Sequence, residues 1–197
     1  YSLNAQGLRT DIDIDKLNKN IKNAELDISR SLINLPSAHN FKKFLPYTHS
    51  QGEIGMCLAY AITTCRTILY ARDNNLTDID KISFESFSPN YTYIYNKKIQ
   101  GDTIEDGMYV DLEKINNSGF VKIKDLEFPN YYPFTPNQIF SFPALDFLTN
   151  ESEKYKFSKF ISIDLNDSKR KKIKLIKQFL LSNNPAVLSF PKWPASL

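Results

Sequence analysis

Residues 51–61 have the sequence QGEIGMCLAYA, in which a loop containing two glycines runs into an apolar segment beginning at Cys57. If that segment is a helix, the N–H groups of its first turn and its positive dipole end stabilise a thiolate at its start. Gln51 lies six residues before the cysteine, and its side-chain amide can donate a hydrogen bond to an oxyanion formed beside the sulfur. The pattern therefore predicts a nucleophilic cysteine with an oxyanion donor.

The sequence around and after this motif predicts several helices. Apolar residues at three- and four-residue steps predict a central helix over residues 57–72, with Thr63 and Thr67 among its polar positions. Residues 74–81 are predicted to be a polar connection. A serine followed by a proline is the pattern of an N-cap and a first helical residue, and it opens a second predicted helix over residues 88–95.

The second half of the chain is predicted to contain both helices and strands. One helix over residues 104–115 should stop at Gly119, and another should run from Asp167 or Ser168 to Leu181. The last helix is predicted to turn an apolar face away from its lysines; that face comprises Ile173, Ile176, Phe179 and Leu180. Strands are predicted at 120–124, 157–165 and 186–190. Helices first and strands later favour an α+β fold.

Composition and charge narrow the possible functions. The chain has 197 residues, 42% of them hydrophobic and 13% aromatic, which is typical of a folded domain. A net charge of +3 is too small to argue for a nucleic-acid partner. No apolar run is long enough for a membrane span. We predict no metal site and no cofactor, because no His, Cys and Asp cluster has zinc-ligand spacing.

The chain contains two cysteines, Cys57 and Cys65. On one helix their Cα atoms would lie roughly 12 Å apart. A disulfide requires less than about 7 Å. Both thiols should therefore be free, and Cys65 is predicted to be a core residue.

The pattern Gln-Gly-x-x-Gly-x-Cys-x-Ala-aromatic-Ala at residues 51–61 resembles the active-site segment of the papain-like (cathepsin-type) cysteine peptidases in a divergent bacterial form. Residues 35–46, 87–93 and 101–119 resemble further segments of that family, in the same order. The resemblance implies a papain-like α+β fold over residues 35–197, with its helical half complete and its β half partial. Residues 1–34 would then be an N-terminal extension, either a pro-segment or a surface helix.

The resemblance also implies roles for individual residues. Cys57 would attack a peptide carbonyl and form an acyl-enzyme, while Gln51 and the Cys57 backbone N–H stabilise the oxyanion. Gly55, Gly101 and Asp102 would contact the substrate backbone, although the family usually has a second glycine where Asp102 stands. The expected substrate is a peptide or protein. The expected location is extracytoplasmic (secreted, periplasmic or at the cell surface), although the sequence shows no signal peptide.

The sequence motif does not identify a general base for Cys57. In the family a histidine and an asparagine follow the cysteine, whereas His39 and His49 both precede Cys57. We therefore expect the histidine and asparagine, with several strands, beyond Leu197 or in a second chain or segment that completes the domain. The alternative is a catalytically inactive papain-like module that binds a peptide or a protein. A third reading is acyl transfer, in which an amine intercepts the acyl-thioester.

Overall fold

The computed structural model describes residues 21–22, 25, 38–51, 56–100, 112–125, 148–164 and 166–187. Helices within these residues are numbered in chain order: α1 (Cys57–Asp73), α2 (Ile79–Phe84), α3 (Pro89–Gln100), α4 (Leu112–Ser118), α5 (Thr149–Glu153) and α6 (Lys169–Leu181). Short 3-10 turns lie at Lys42–Phe44 and Ile123–Asp125. None of the helices in the described part of the chain is long and apolar enough to cross a membrane.

Helix α1 is the central element and packs against α3. Its N-terminal half contributes Leu58, Ala59 and Ile62 to the main core, whose other buried members are Met56, Phe87, Tyr91, Tyr93, Ile94, Ile115, Phe120, Val121 and Leu148. Its C-terminal half contributes Ile68 and Ala71 to a second cluster, which also contains Phe44 and Ile82. Both clusters therefore depend on the helix that begins at Cys57.

Helix α1 is buried on more of its circumference than its sequence predicts. Thr63 and Thr67, which we assigned to polar positions, are buried. Each hydroxyl donates to the carbonyl four residues earlier, at 2.7 Å to Ala59 and 2.9 Å to Thr63. The Thr67 hydroxyl also accepts from the Phe87 N–H at 3.1 Å. Both threonines tolerate burial here because each hydroxyl is hydrogen-bonded to a backbone carbonyl of its own helix.

The predicted helix boundaries are confirmed where capping residues mark them. The Ser88 hydroxyl accepts from the Tyr91 N–H at 3.1 Å at the start of α3, and the Ser168 hydroxyl accepts from the Lys171 N–H at 3.2 Å at the start of α6. The prediction of a polar connection through residue 81 is wrong. Asp78 caps α2 by accepting from the Lys81 N–H at 2.9 Å, and the short helix buries Ile82.

The strand predictions are not confirmed by the described residues, which contain isolated bridges rather than an extended strand. Within residues 120–124, Lys122 forms an antiparallel bridge with Phe87, and the chain then enters a 3-10 turn. At Phe157 the Asn116 side chain binds both backbone groups. It donates to the Phe157 carbonyl at 3.1 Å and accepts from the Phe157 N–H at 2.8 Å. Residues 186–187 are irregular, and residues 188–190 lie outside the described residues.

The apolar face of α6 differs in part from the prediction. Leu175 is the buried residue of this helix, whereas Ile173 is 43% exposed. Side chains two positions apart on a helix point about 200° away from each other. Leu175 therefore lies on the side that the protein covers, and Ile173 lies on the exposed side. The other predicted members of the face, Ile176, Phe179 and Leu180, are half-buried.

The proposed division at residue 34 falls where the structure describes little of the chain. Of the expected extension at residues 1–34, the structure describes residues 21, 22 and 25. The Lys22 carbonyl accepts from the Ser162 N–H at 3.2 Å, so this part of the chain lies against the segment before α6.

Candidate active site

Cys57 is an exposed thiol at the first residue of α1. The residues on either side, Met56 and Leu58, are buried in the main core. The helix start predicted from the sequence is therefore confirmed. The cysteine sulfur lies at the surface while the backbone that carries it is fixed by the core.

The N-terminal end of α1 is not neutralised by its own residues. Met56 makes no side-chain hydrogen bond to the first turn, and that turn contains no acidic residue. The Tyr60 N–H is bonded to the Met56 carbonyl at 3.0 Å, which closes the first turn. The positive end of the helix dipole is thus directed at the position of Cys57, where it favours negative charge.

Gln51 is half-buried and follows a segment that is anchored to two helices. The Tyr47 N–H donates to the Ser83 hydroxyl and the Tyr47 hydroxyl to Asp80 Oδ1, both at 2.8 Å, which ties this segment to α2. The Tyr60 hydroxyl donates to the Ser50 carbonyl at 3.2 Å, which ties it to α1. The residue before Gln51 is therefore held by a side chain one helical turn from Cys57.

The remaining predicted site residues, Gly55, Gly101 and Asp102, lie outside the described residues. Their proposed contacts with a substrate backbone stay predictions.

Cys65 lies two turns further along α1 and is half-buried. Both cysteines are free, as predicted. Burial raises the pKa of the Cys65 thiol to about 11, so this residue is protonated at neutral pH and is a poor nucleophile. The exposed cysteine is the chemically accessible one.

The two histidines are both exposed. The His39 ring packs edge-on against Phe41 with a centroid distance of 5.2 Å. Within the described ranges, no three His, Cys, Asp or Glu side chains are grouped in a way that could hold a metal ion.

A buried lysine lies behind α1 and was not identified from the sequence. Lys122 Nζ donates to Glu85 Oε2 at 2.6 Å and to the Tyr70 hydroxyl at 2.8 Å. It also lies 4.0 Å from the centroid of the Tyr70 ring. Burial by itself would lower the pKa of Lys122, but the hydrogen bonds to Glu85 and to Tyr70 outweigh burial and raise it. This ammonium is a structural cation that joins α1 to the segment after α4.

Glu85 is the acidic partner of this group and also accepts from Lys124. Burial would raise the pKa of Glu85, but the hydrogen bonds from Lys122 and Lys124 outweigh burial and lower it. The carboxylate is therefore ionised at neutral pH. The partners lie 37 and 39 residues away in the sequence, so no local pattern could have revealed the group.

A cavity of about 510 Å³ lies on another part of the molecule. Its walls come from residues 21, 22 and 25, from α4, from residues 159–161 and from α6, and they include Lys22, Glu25, Glu113, Asn116, Lys159 and Phe179. Neither Cys57 nor Gln51 lines it.

The fold resembles that of a solved cysteine protease. The crystal structure of xylellain, a cysteine protease from Xylella fastidiosa, matches with a TM-score of 0.60 at 17% sequence identity. The match covers 89% of this chain and 62% of the xylellain chain. This chain has a cysteine protease fold. It spans less than two thirds of the length of that protein. No protein-family profile matches the chain, and no curated protein matches it.

Proposed function

We propose that this chain is a papain-like cysteine peptidase that cleaves peptide bonds through an acyl-thioester on Cys57. The observation that carries the proposal is an exposed cysteine at the first residue of a buried helix. The fold that it shares with xylellain supports the proposal.

The proposed reaction begins with attack of the Cys57 thiolate on the substrate carbonyl carbon. A C–S bond forms, and the carbonyl electron pair moves to the oxygen. The Gln51 amide and the Cys57 backbone N–H donate hydrogen bonds to that oxyanion. Collapse of the intermediate breaks the C–N bond, and the amine leaves with a proton. Water then hydrolyses the thioester and regenerates the thiol.

The proton transfers require a base beside Cys57. In the proposed mechanism an imidazole takes the thiol proton and returns it to the leaving amine. The papain-like resemblance assigns this role to a histidine that follows the nucleophilic cysteine in the family's sequence order. Gly55, Gly101 and Asp102 are proposed to bind the substrate backbone. An extracytoplasmic location is part of the same proposal.

A second candidate function is a papain-like module that binds peptides without turnover. The observation that favours it is that His39 and His49 are both exposed, with the ring of His39 packed against Phe41. The two candidates differ in one chemical event, because the peptidase forms a thioester on Cys57 and the binding module does not.

The experiment that separates them is acylation by a peptidyl p-nitrophenyl ester, followed by intact-mass spectrometry at neutral pH. We expect one acyl group per chain, located at Cys57 by peptide mapping. Formation should be much faster than with acetyl p-nitrophenyl ester, which has no peptide to bind. Peptide binding without an adduct would support the inactive module instead.

Matched cysteine variants make this experiment specific. Simple alkylation rates cannot discriminate, because Cys65 is half-buried with a raised pKa and should react slowly under either function. We expect Cys57→Ala to abolish the acyl adduct and Cys65→Ala to preserve it. An adduct that persists in Cys57→Ala would refute Cys57 as the nucleophile.

A further inference from the structure

We propose that Tyr60 is a positioning residue for the oxyanion site, because its hydroxyl holds the Ser50 carbonyl and thereby orients Gln51 beside Cys57. This inference rests on the proposed function. The hydroxyl donates to the Ser50 carbonyl at 3.2 Å. Tyr60 follows Cys57 by three residues in α1, and side chains at this spacing are neighbours on one helix face, with Cβ atoms roughly 5–6 Å apart. The hydrogen bond therefore joins the face that carries Cys57 to the residue next to Gln51.

Tyr60 is well suited to hold a fixed position. Its ring is half-buried and packs against the main core. Burial raises the pKa of Tyr60, so the phenol stays protonated and remains a donor at neutral and moderately alkaline pH. A rigid aromatic side chain on a packed helix defines the position of its hydroxyl better than a flexible side chain would.

Two attachments of the segment that carries Gln51 bear on its orientation. Tyr47 binds α2 through its backbone and its hydroxyl, and Ser50 is bound to α1 by Tyr60. The first attachment limits where the segment lies. The second limits the orientation of the peptide group that directly precedes Gln51. Loss of the Tyr60 hydroxyl should therefore loosen Gln51 without releasing the whole segment.

The expected effect is a partial loss of transition-state stabilisation. Removal of an entire oxyanion donor lowers the rate by about 10²–10³-fold. Tyr60→Phe keeps the Gln51 amide and only loosens its placement, so we expect acylation by a peptidyl ester to slow by about tenfold. The loss should appear in the rate of acylation at saturating ester, with little change in the concentration that half-saturates it. Alkylation by iodoacetamide forms no oxyanion and should be unchanged.

Tyr91→Phe is the matched control. The Tyr91 hydroxyl also donates to a main-chain carbonyl at 3.2 Å, that of Ser118, but it lies in the main core. We expect Tyr91→Phe to lower stability in urea and to leave acylation unchanged. If both variants slowed acylation in proportion to their loss of stability, the role of Tyr60 would be structural and the inference would be overturned.

A double-mutant cycle with Gln51→Ala tests whether Tyr60 acts through Gln51. We expect Tyr60→Phe to slow acylation by about tenfold in the native background and to have almost no effect in Gln51→Ala. Equal effects in both backgrounds would overturn the inference, and so would an equal slowing of iodoacetamide alkylation. Unchanged acylation in Tyr60→Phe would overturn it while leaving the peptidase proposal intact. Absence of acylation in the native protein would instead overturn both.

Discussion

The carbonyl of Ser152 occupies the space that a Cβ atom on Gly119 would need. This carbonyl is fixed in place, because it accepts from the Phe120 N–H at 3.1 Å and from the Tyr155 N–H at 3.2 Å. Gly119 also has φ +67, in the left-handed region, directly after the last residue of α4. The position therefore requires glycine both for its backbone conformation and for the close approach of α5.

Substitution Gly119→Ala should lower the free energy of unfolding by at least about 2 kcal/mol. The left-handed conformation alone costs a non-glycine residue roughly 1–2 kcal/mol, and the overlap with the Ser152 carbonyl adds to this. Urea denaturation followed by circular dichroism measures the change. Asn117→Ala, at an exposed position of the same helix, is the control and should stay within about 0.5 kcal/mol. Equal stability of the two variants would contradict the assigned role of Gly119.

Substitution Asn116→Ala should destabilise the segment around Phe157. The Asn116 amide satisfies both the N–H and the carbonyl of Phe157, and these groups would lose their partners in a partly buried site. We expect a loss of about 1–3 kcal/mol. Amide hydrogen exchange should show faster exchange at Phe157. Asn116→Asp keeps the acceptor, so it should protect that amide better than alanine; equal exchange in both variants would count against the contact.

The Glu85 carboxylate should contribute to acid unfolding. Its pKa is lowered in the folded protein, so its stabilising contribution is present above the unfolded pKa of about 4.3 and is lost as the pH falls through the lower folded value. We expect Glu85→Gln to flatten the fall in the free energy of unfolding below about pH 5. The control is Glu151→Gln, whose partner Lys154 is exposed, and it should leave that profile unchanged. Parallel acid profiles for the native protein and Glu85→Gln would exclude this role.

Two substitutions in α6 should have very different costs. Leu175 is fully buried, so Leu175→Ala should lower the free energy of unfolding by about 2–5 kcal/mol. Ile173 is 43% exposed, so Ile173→Ala should cost less than about 1 kcal/mol. Thermal denaturation of both variants compares the two costs directly. A larger loss for Ile173→Ala would mean that the opposite edge of the helix is the packed one.

The alkylation rates of the two thiols should depend differently on pH. Burial raises the pKa of Cys65 to about 11, so its thiolate fraction and its alkylation rate should increase about tenfold per pH unit until the pH approaches that value. The exposed Cys57 should be labelled first by iodoacetamide at pH 7–8. Mass spectrometry of the alkylated peptides measures both rates. Rapid labelling of Cys65 at neutral pH would show that its site opens easily to solvent.

Local signals in the sequence predicted the parts of the fold that depend on neighbouring residues. Apolar spacing located α1, hydroxyl caps located the starts of α3 and α6, and Gly119 located the end of α4. Each of these features depends on residues within one or two helical turns of it. Helix α2 was missed because six residues are too few to show a helical period, although Asp78 was a visible cap.

Long-range contacts were beyond the reach of the sequence. The strand prediction at 157–165 relied on apolar alternation, but a strand needs a ladder partner, and at Phe157 the Asn116 side chain takes that place. Thr63 and Thr67 were assigned to polar positions because they carry hydroxyl groups, but both are buried, and the Thr67 hydroxyl accepts from the Phe87 N–H, 20 residues away. In the candidate site, the motif at residues 51–61 pointed to Cys57 and Gln51. It could not show that Tyr60 is bonded to Ser50, since that contact joins a helix to a preceding loop.

Because α1 supplies buried residues to both hydrophobic clusters, we expect its central turns to open only when both clusters open. Exposing the amides of these turns would uncover apolar surface in both clusters at once. The slowest-exchanging backbone amides of α1 should therefore exchange only when the whole assembly of helices unfolds. A cavity-forming change at Ile82, in the second cluster, should therefore speed the unfolding that exposes these amides, although Ile82 lies outside α1.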